Sequence, residues 1–370
     1  MARVGGSIVT GLVALGLLVV AGASFAAFGF KAPARYTIGG SPYPVAVADF
    51  DRDGKRDIVV GNEDDDNVSI LLGKARGRFR AAKDYPAGDY PFGIVARDFD
   101  RDRKLDLAVV NNGDGKVSIL RGKGDGSFAD PDKHEVGSFP YAIVAGRFNA
   151  DPLLDLAVVN YGSATYSLML GKPGGGFEGA SDRPIGTSPT SIGAADFNRD
   201  GKRDLAVLLR EGTIRILLGD GDGTFKPPLD FPSGTDGAYG MIVTDLNRDR
   251  RPDIAVASCE TNQVFVSIAK RKGVKYRAPV SRNAGDCGYQ LAAADLNRDR
   301  HKDLLLPNED RRTIDVLRGR GDGTFKKVRR FPATTTENYS VAVGRFDKRG
   351  GTDLAVPDYS AGRVGVLRSR

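Results

Sequence analysis

Tryptophan is absent from this sequence, and histidine, cysteine and methionine number only two, two and three among 370 residues. Two histidines, His134 and His301, leave few parts for acid–base work near neutral pH. Neither has a nucleophile or metal-binding partner at a recognisable spacing. Two cysteines exclude a disulfide framework and permit one bridge. No long stretch carries the 3.6-residue apolar period of an amphipathic helix, which argues against a helical fold. Turn formers are plentiful instead, with 48 glycines and 19 prolines. The length exceeds what one ordinary core serves, so several domains or a repeat architecture is expected. A formal charge of +7 and a pI near 9.3 lean toward anionic partners.

Arg3 is followed by an uncharged apolar stretch over residues 4–30, with small residues at Ala21-Gly22-Ala23. A basic start, an apolar middle and small residues read as a secretory signal peptide over 1–26, cut after Ala23 or Ala26. The competing reading is an uncleaved anchor, since about 20 apolar residues can span a bilayer. Either places the remainder outside the cytoplasm, so a secreted or outward-facing, membrane-anchored protein is expected.

The rest of the chain repeats. Asp196-Phe-Asn-Arg-Asp-Gly-Lys-Arg-Asp204 sets acidic or amide side chains at positions one, three, five and nine, just ahead of an apolar run. That spacing suits a hard cation, because a tight loop turns alternate oxygens inward and position seven adds its carbonyl. It is not an EF-hand, which requires Glu at position twelve, where Val207 stands. Seven copies start at Asp49, Asp98, Arg147, Asp196, Asp245, Asp295 and Arg345, at intervals of 49 or 50 residues. Fixed periods of this size mean solenoids, propellers or arrays. Each copy offers four short strand-like runs with Gly-Asp-Gly turns, as at Gly221-Asp-Gly223, so each reads as one propeller blade. The last copy stops after its third run, and residues 30–36 resemble a fourth-strand segment. The expected fold is therefore an all-β, seven-bladed propeller over 30–370, closed by an N-terminal outer strand that completes the last blade.

The loops 49–57 and 196–204, with turns such as Gly221-Asp-Gly-Thr-Phe225, resemble the FG-GAP/VCBS repeat family, best known from the propellers of integrin α subunits. The resemblance implies calcium held between the first and second strands of a blade, at about five sites. In blade 1 the ligands would be Asp49, Asp51, Asp53, Asp57 and the Lys55 carbonyl; in blade 2, Asp98, Asp100, Asp102, Asp106 and Lys104. Blade 4 offers Asp196, Asn198, Asp200, Asp204 and Lys202, and blade 5 Asp245, Asn247, Asp249, Asp253 and Arg251. Blade 6 offers Asp295, Asn297, Asp299, Asp303 and His301. Blades 3 and 7 begin with Arg147 and Arg345, whose guanidinium groups are expected to occupy the cation's place and pair with Asp155 and Asp353.

The five loops hold 17 of the 47 acidic residues, so the remainder carries 54 basic against 30 acidic groups. The loop face should be cationic once loaded, which suits an acidic polysaccharide or anionic cell surface; nucleic acid fits an exported chain less well. Arg320-Gly-Asp322 spells an adhesive tripeptide but occupies the ordinary turn position of the repeat. Cys259 and Cys287 fall in adjacent blades on the face opposite the loops, where one disulfide could join them.

Six residues before each loop stand Tyr43, Phe92, Tyr141, Thr190, Tyr239, Tyr289 and Tyr339, at the start of the strand expected to line the channel. At second-strand ends on the same face stand Asn62, Asn111, Asn160, Leu209, Ser258, Asn308 and Asp358. Tyrosines with amides around them suit sugars or peptides, since Tyr combines an apolar face with a polar tip; packing between blades is the competing role. The expected function is a secreted, monomeric, calcium-binding module for a glycan, peptide or cell-surface partner. The alternative is an extracellular polysaccharide lyase or hydrolase working with Tyr and Arg.

Overall fold

A computed structural model describes residues 28–284, 289–347 and 350–370. The expected leader, Cys287 and Arg349 lie outside the described residues. Seven four-stranded antiparallel sheets make the ring, one for each sequence repeat. In blade 1 the strands are Pro42–Ala48, Asp57–Asn62, Asn67–Leu71 and Lys83–Pro86, in spatial order from channel to rim. The ring closes as the repeat pattern requires. Ala34–Thr37 pairs antiparallel with Arg363–Leu367, with Ala34 opposite Val366, and so supplies the outer strand of blade 7. Around that strand Phe30 bridges Ser369, and the Lys31 amide donates to the Arg368 carbonyl at 2.8 Å. Among the described residues no helix is long and apolar enough to cross a membrane.

Second strands explain why their sequences are apolar throughout rather than alternating. Every residue of Asp57–Asn62 is buried, because the sheet is covered on both faces by its neighbours. Val59 packs toward blade 2 with Leu107 and Val109, whereas Ile58 and Val60 pack toward blade 7 with Ala355 and Val364. Seven such apolar clusters fill the seven seams. The second residue of the acidic loop anchors each seam. Phe50 meets Phe128 of the next blade's turn edge-on at 5.6 Å, and Phe346 meets Phe79 across the closing seam at 5.1 Å.

Arg320-Gly-Asp322 forms the ordinary turn of its blade. Asp322 accepts from the Thr324 amide at 2.8 Å, as Asp222 does from Thr224 at 2.9 Å.

Candidate functional site

Between first and second strands, the acidic loops are built by left-handed backbone. Position four takes a positive φ at Arg52, Arg101, Arg199, Arg248 and Arg298. Position six does so at Gly54 and Gly201, and also at Arg103, Arg250 and Arg300. Two such turns in six residues fold the segment onto itself and direct alternate carboxylates inward. In blade 1, oxygens of Asp49, Asp51 and Asp57 lie within 4.8 Å of one another; in blade 2 those of Asp98, Asp100 and Asp106 do the same. Oxygens that far apart can share one calcium, whose Ca–O bonds run about 2.3–2.6 Å. Asp98 Oδ1 is buried there without a hydrogen-bond partner, as an ion ligand would be. These two donor sets fit calcium.

Position five does not join them. Asp53 accepts from the Lys55 ammonium, and Asp102 from Lys104 Nζ at 2.6 Å, so the lysine expected to lend only its carbonyl binds the carboxylate instead. In blade 6 the ring of His301 lies 3.4 Å from Asp299. The amide loops satisfy themselves similarly: Asn198 Nδ2 donates to Asp200 at 2.8 Å and Asn297 to Asp299 at 2.9 Å, with Asn247 and Asp249 at 3.2 Å. At position one, Asp196, Asp245 and Asp295 each accept from the amide at position six, of Gly201, Arg250 and Arg300, at 2.8–2.9 Å.

The aspartate at position nine has a role the spacing did not reveal. In all seven blades it is fully buried, and its two oxygens accept two backbone amides. Asp57 takes those of Phe50 and Gly73 at 2.7 Å each, Asp204 those of Phe197 and Gly219, Asp253 those of Leu246 and Ala269, and Asp303 those of Leu296 and Gly319. Burial pushes the Asp57 and Asp106 carboxyls up to about 6 against the pull of these amides. A cation beside them would reverse that shift. The same tie explains blades 3 and 7 and corrects the expectation for their arginines. Asp155 and Asp353 are held by the amides of Phe148 and Gly171, and of Phe346 and Ser369. Arg147 and Arg345 are exposed rather than seated in the cation's place.

On the opposite face the channel opens through a ring of aromatics. Tyr141 meets Phe92 at 4.5 Å, Phe92 stacks on Tyr43 at 4.4 Å, and Tyr43 continues to Tyr339 at 5.7 Å. Tyr289 follows at 5.2 Å from Tyr339, and Tyr239 at 4.9 Å from Tyr289. The rings pack on one another about a cavity of about 230 Å³ rather than wedging between sheets; Tyr141 alone also touches a seam cluster among the described residues. Thr190 interrupts the ring, and Arg210 spans the gap. Its guanidinium lies 5.1 Å from the centre of Tyr239 and donates to the Tyr161 hydroxyl at 3.3 Å.

Arg210 and Tyr161 belong to a second set of residues that the sequence reading passed over. They stand one residue beyond each second strand, and Glu63, Glu309 and Tyr359 occupy the same position. The Tyr339 hydroxyl donates to Glu309 at 3.1 Å and that of Tyr359 to Glu63 at 2.8 Å. Glu63 is 2% exposed, and its Oε1 has no hydrogen-bond partner. Burial pushes its carboxyl up to about 7, despite the Tyr359 hydrogen bond and nearby Tyr90. The position is one residue past the amides, so counting in register would have found it. The amides themselves are buried ties within blades, not ligand-facing groups. Asn62 Nδ2 donates to Ser69 at 2.8 Å, Asn111 to Ser118, Asn160 to Ser167 and Asn308 to Asp315, while Asp358 accepts from Thr335 and Thr336. Ser258 likewise donates inward, to the Asp236 carbonyl. Cys259, on this face, is disulfide-bonded. Among the described residues, the second-to-third-strand turns and the connections into the next blade carry twelve carboxylates and three arginines. The channel mouth is thus acidic, and the lysine-rich turns lie on the other side.

A ring of seven four-stranded sheets, with an acidic loop between first and second strands, defines a seven-bladed β-propeller. The chain belongs to the FG-GAP-like repeat family: the family model matches residues 49–109, 98–158, 147–207, 196–256, 245–306 and 295–356. No curated protein sequence matches it. Among solved structures it resembles BBS1N in complex with ARL6DN, at 14% identity and a TM-score of 0.64 over 91% of this chain and 96% of that one. Virginiamycin B lyase from Staphylococcus aureus, with quinupristin, gives 14% identity and a TM-score of 0.61 over 92% and 99%. An Agrocybe aegerita lectin described by its recognition of non-reducing terminal N-acetylglucosamine gives 14% and 0.56 over 90% and 97%. At these identities the likeness is one of fold, and the fold hosts binders and enzymes alike.

Proposed function

We propose that this protein is an exported, calcium-supported binding module that takes a glycan or peptide at the aromatic mouth of its channel. The observation that carries the reading is the continuous ring from Tyr141 through Phe92, Tyr43, Tyr339 and Tyr289 to Tyr239. The ring stands on or just ahead of the first strands, and around the buried Tyr43 its partly exposed members, Phe92, Tyr141, Tyr239, Tyr289 and Tyr339, set flat apolar surface beside hydroxyls, which sugars and extended peptides both use. Calcium in the loops of blades 1, 2, 4, 5 and 6 would brace the opposite ends of those strands. The lysine- and arginine-rich loop face would then rest against an anionic cell surface. Tyr239→Ala and Tyr289→Ala test the reading on a glycan array and a peptide library. Lost binding with an unchanged melting temperature is expected; lost stability with binding intact would reduce the ring to packing.

A second reading, turnover of an acidic polysaccharide, is favoured by one pair. Hydrogen bonds from Ser188 and Arg210 lower the Tyr161 hydroxyl below its ordinary range, as a tyrosine base beside an arginine would require. The twelve carboxylates around it repel such a polymer, which makes binding the preferred reading. Shortened product that disappears in Tyr161→Phe would reverse that preference.

A further inference from the structure

The blade that closes the ring leaves a gap on the calcium-loop face. In the other blades a turn joins the third strand to the outer one, bridged in blade 6 by Gly319 and Phe325. Blade 7 takes its outer strand from Ala34–Thr37, so Phe30 bridges Ser369 and no turn links the two strands. The space beside it is a cavity of about 720 Å³, walled by Phe28, Arg298, Arg318, Lys326, Arg329 and Arg370. Among the described residues one carboxylate side chain shares it, Asp299, 3.7 Å from Arg318.

Arg318 identifies what the gap lacks. The residues at its position in blades 2 and 7, Arg121 and Arg368, reach the turn of the following blade and donate to the carbonyls of Gly175 and Arg76. The blade after Arg318 is blade 7, which offers no such turn, and Arg318 Nε is shielded from solvent without a hydrogen-bond partner. Phe28 holds the cations together. The guanidinium groups of Arg318 and Arg329 lie 5.4 and 5.5 Å from its ring centre, within the range of cation–π attraction. Arg298 donates to the Gly350 carbonyl, and Arg370 Nε to that of Phe30 at 3.0 Å. Among the described residues, five cations facing one carboxylate side chain give the cavity a positive field that an anion would relieve.

We propose that this cavity binds a divalent tetrahedral oxyanion, a phosphate or sulfate group. Two guanidinium groups gathered at one aromatic ring bring paired donors together, which suits several oxygens on one centre. A second charge on the ligand answers more of the five cations than a single carboxylate does. The site lies on the face opposite the tyrosine ring and does not depend on it.

Calorimetric titration of the calcium-loaded full chain with sodium sulfate, and separately with a phosphate monoester, tests this and tells the two sources apart. Saturable binding of at least one is expected, weakened by about tenfold or more in Arg318→Gln and in Arg329→Gln. Arg121→Gln and Lys270→Gln, cations of the same face outside the cavity, should bind as the parent does. Should Arg318→Gln fold poorly, Arg318→Lys keeps the charge without the fork and should still weaken binding. No saturable binding, or equal losses in all variants, overturns the proposal. So does binding by a chain starting at Phe28 but not by the full chain, because the preceding residues would then fill the cavity.

Discussion

At the scale of single residues, the position-nine aspartate is more than the repeat's last acidic letter. Each carboxylate ties the loop's second residue to the end of the third strand, and it does so in blades 3 and 7, where the loop begins with arginine. Asp155→Ala would leave two buried amides unpaired and should cost about 2–5 kcal/mol. The melting temperature should fall while the response to calcium is unchanged; the matched Asp57→Ala should lose both. An Asp155→Ala variant as stable as the parent would show the tie to be dispensable. Glu63 makes a different prediction. Its carboxyl titrates near 7 when folded and near 4.5 in the open chain. The stability this proton confers is therefore complete below pH 4.5 and is lost as the pH rises through 7. The loss is at most about 3 kcal/mol. Denaturant midpoints should fall from pH 5 to pH 8 in the parent and fall less in Glu63→Gln; parallel slopes would contradict the assignment.

At the scale of elements, the acidic loop is a left-handed device that all five blades build with arginine at position four and three of them also at position six. Arg103, Arg250 and Arg300 adopt the φ that Gly54 and Gly201 take without a Cβ. The left-handed region costs a residue with a Cβ about 1–2 kcal/mol. Arg250→Gly should therefore raise the melting temperature by a few degrees, and a drop would mean that the arginine side chain contributes more than its backbone costs. Second strands set the other limit. Covered on both faces, they tolerate little loss of volume, and the loop residues that anchor the seams tolerate as little: Phe148→Ala, at the seam of blades 3 and 4, should cost about 3–5 kcal/mol in equilibrium unfolding.

At the scale of the molecule, the ring has two electrically different faces, and the proposed calcium would act on one of them. Ions that bind only the folded state stabilise it by mass action, and isolated extracellular sites bind at about 10⁻⁴–10⁻³ M. The melting temperature should climb between micromolar and millimolar calcium, and an unchanged value in chelator would remove the metal from the proposal. A bridge between Cys259 and Cys287, across adjacent blades, belongs to this scale too. The mass of the purified protein should not change on alkylation without reductant, and two alkylated thiols would exclude the bridge.

The order of strands, the number of blades and the closure by residues 34–37 were legible in the sequence, because a 49-residue period imposes one blade per copy. A third run left without a fourth then needs a strand from elsewhere. The aromatic ring was legible as a register position, since first-strand residues six before the loop must all reach one end of the channel. Only the tertiary structure decided what those positions do. Spacing alone cannot tell a carboxylate that faces an ion from one that faces two amides, so Asp155 and Asp353 gave no sign of their tie. Nor can it tell an exposed amide from a buried one, which is why Asn62 and Asn160 read as ligand groups. Glu63 meets Tyr359, and Phe28 meets Arg318 and Arg329, from opposite ends of the chain. Their proximity follows from closure of the ring, and no local pattern records it.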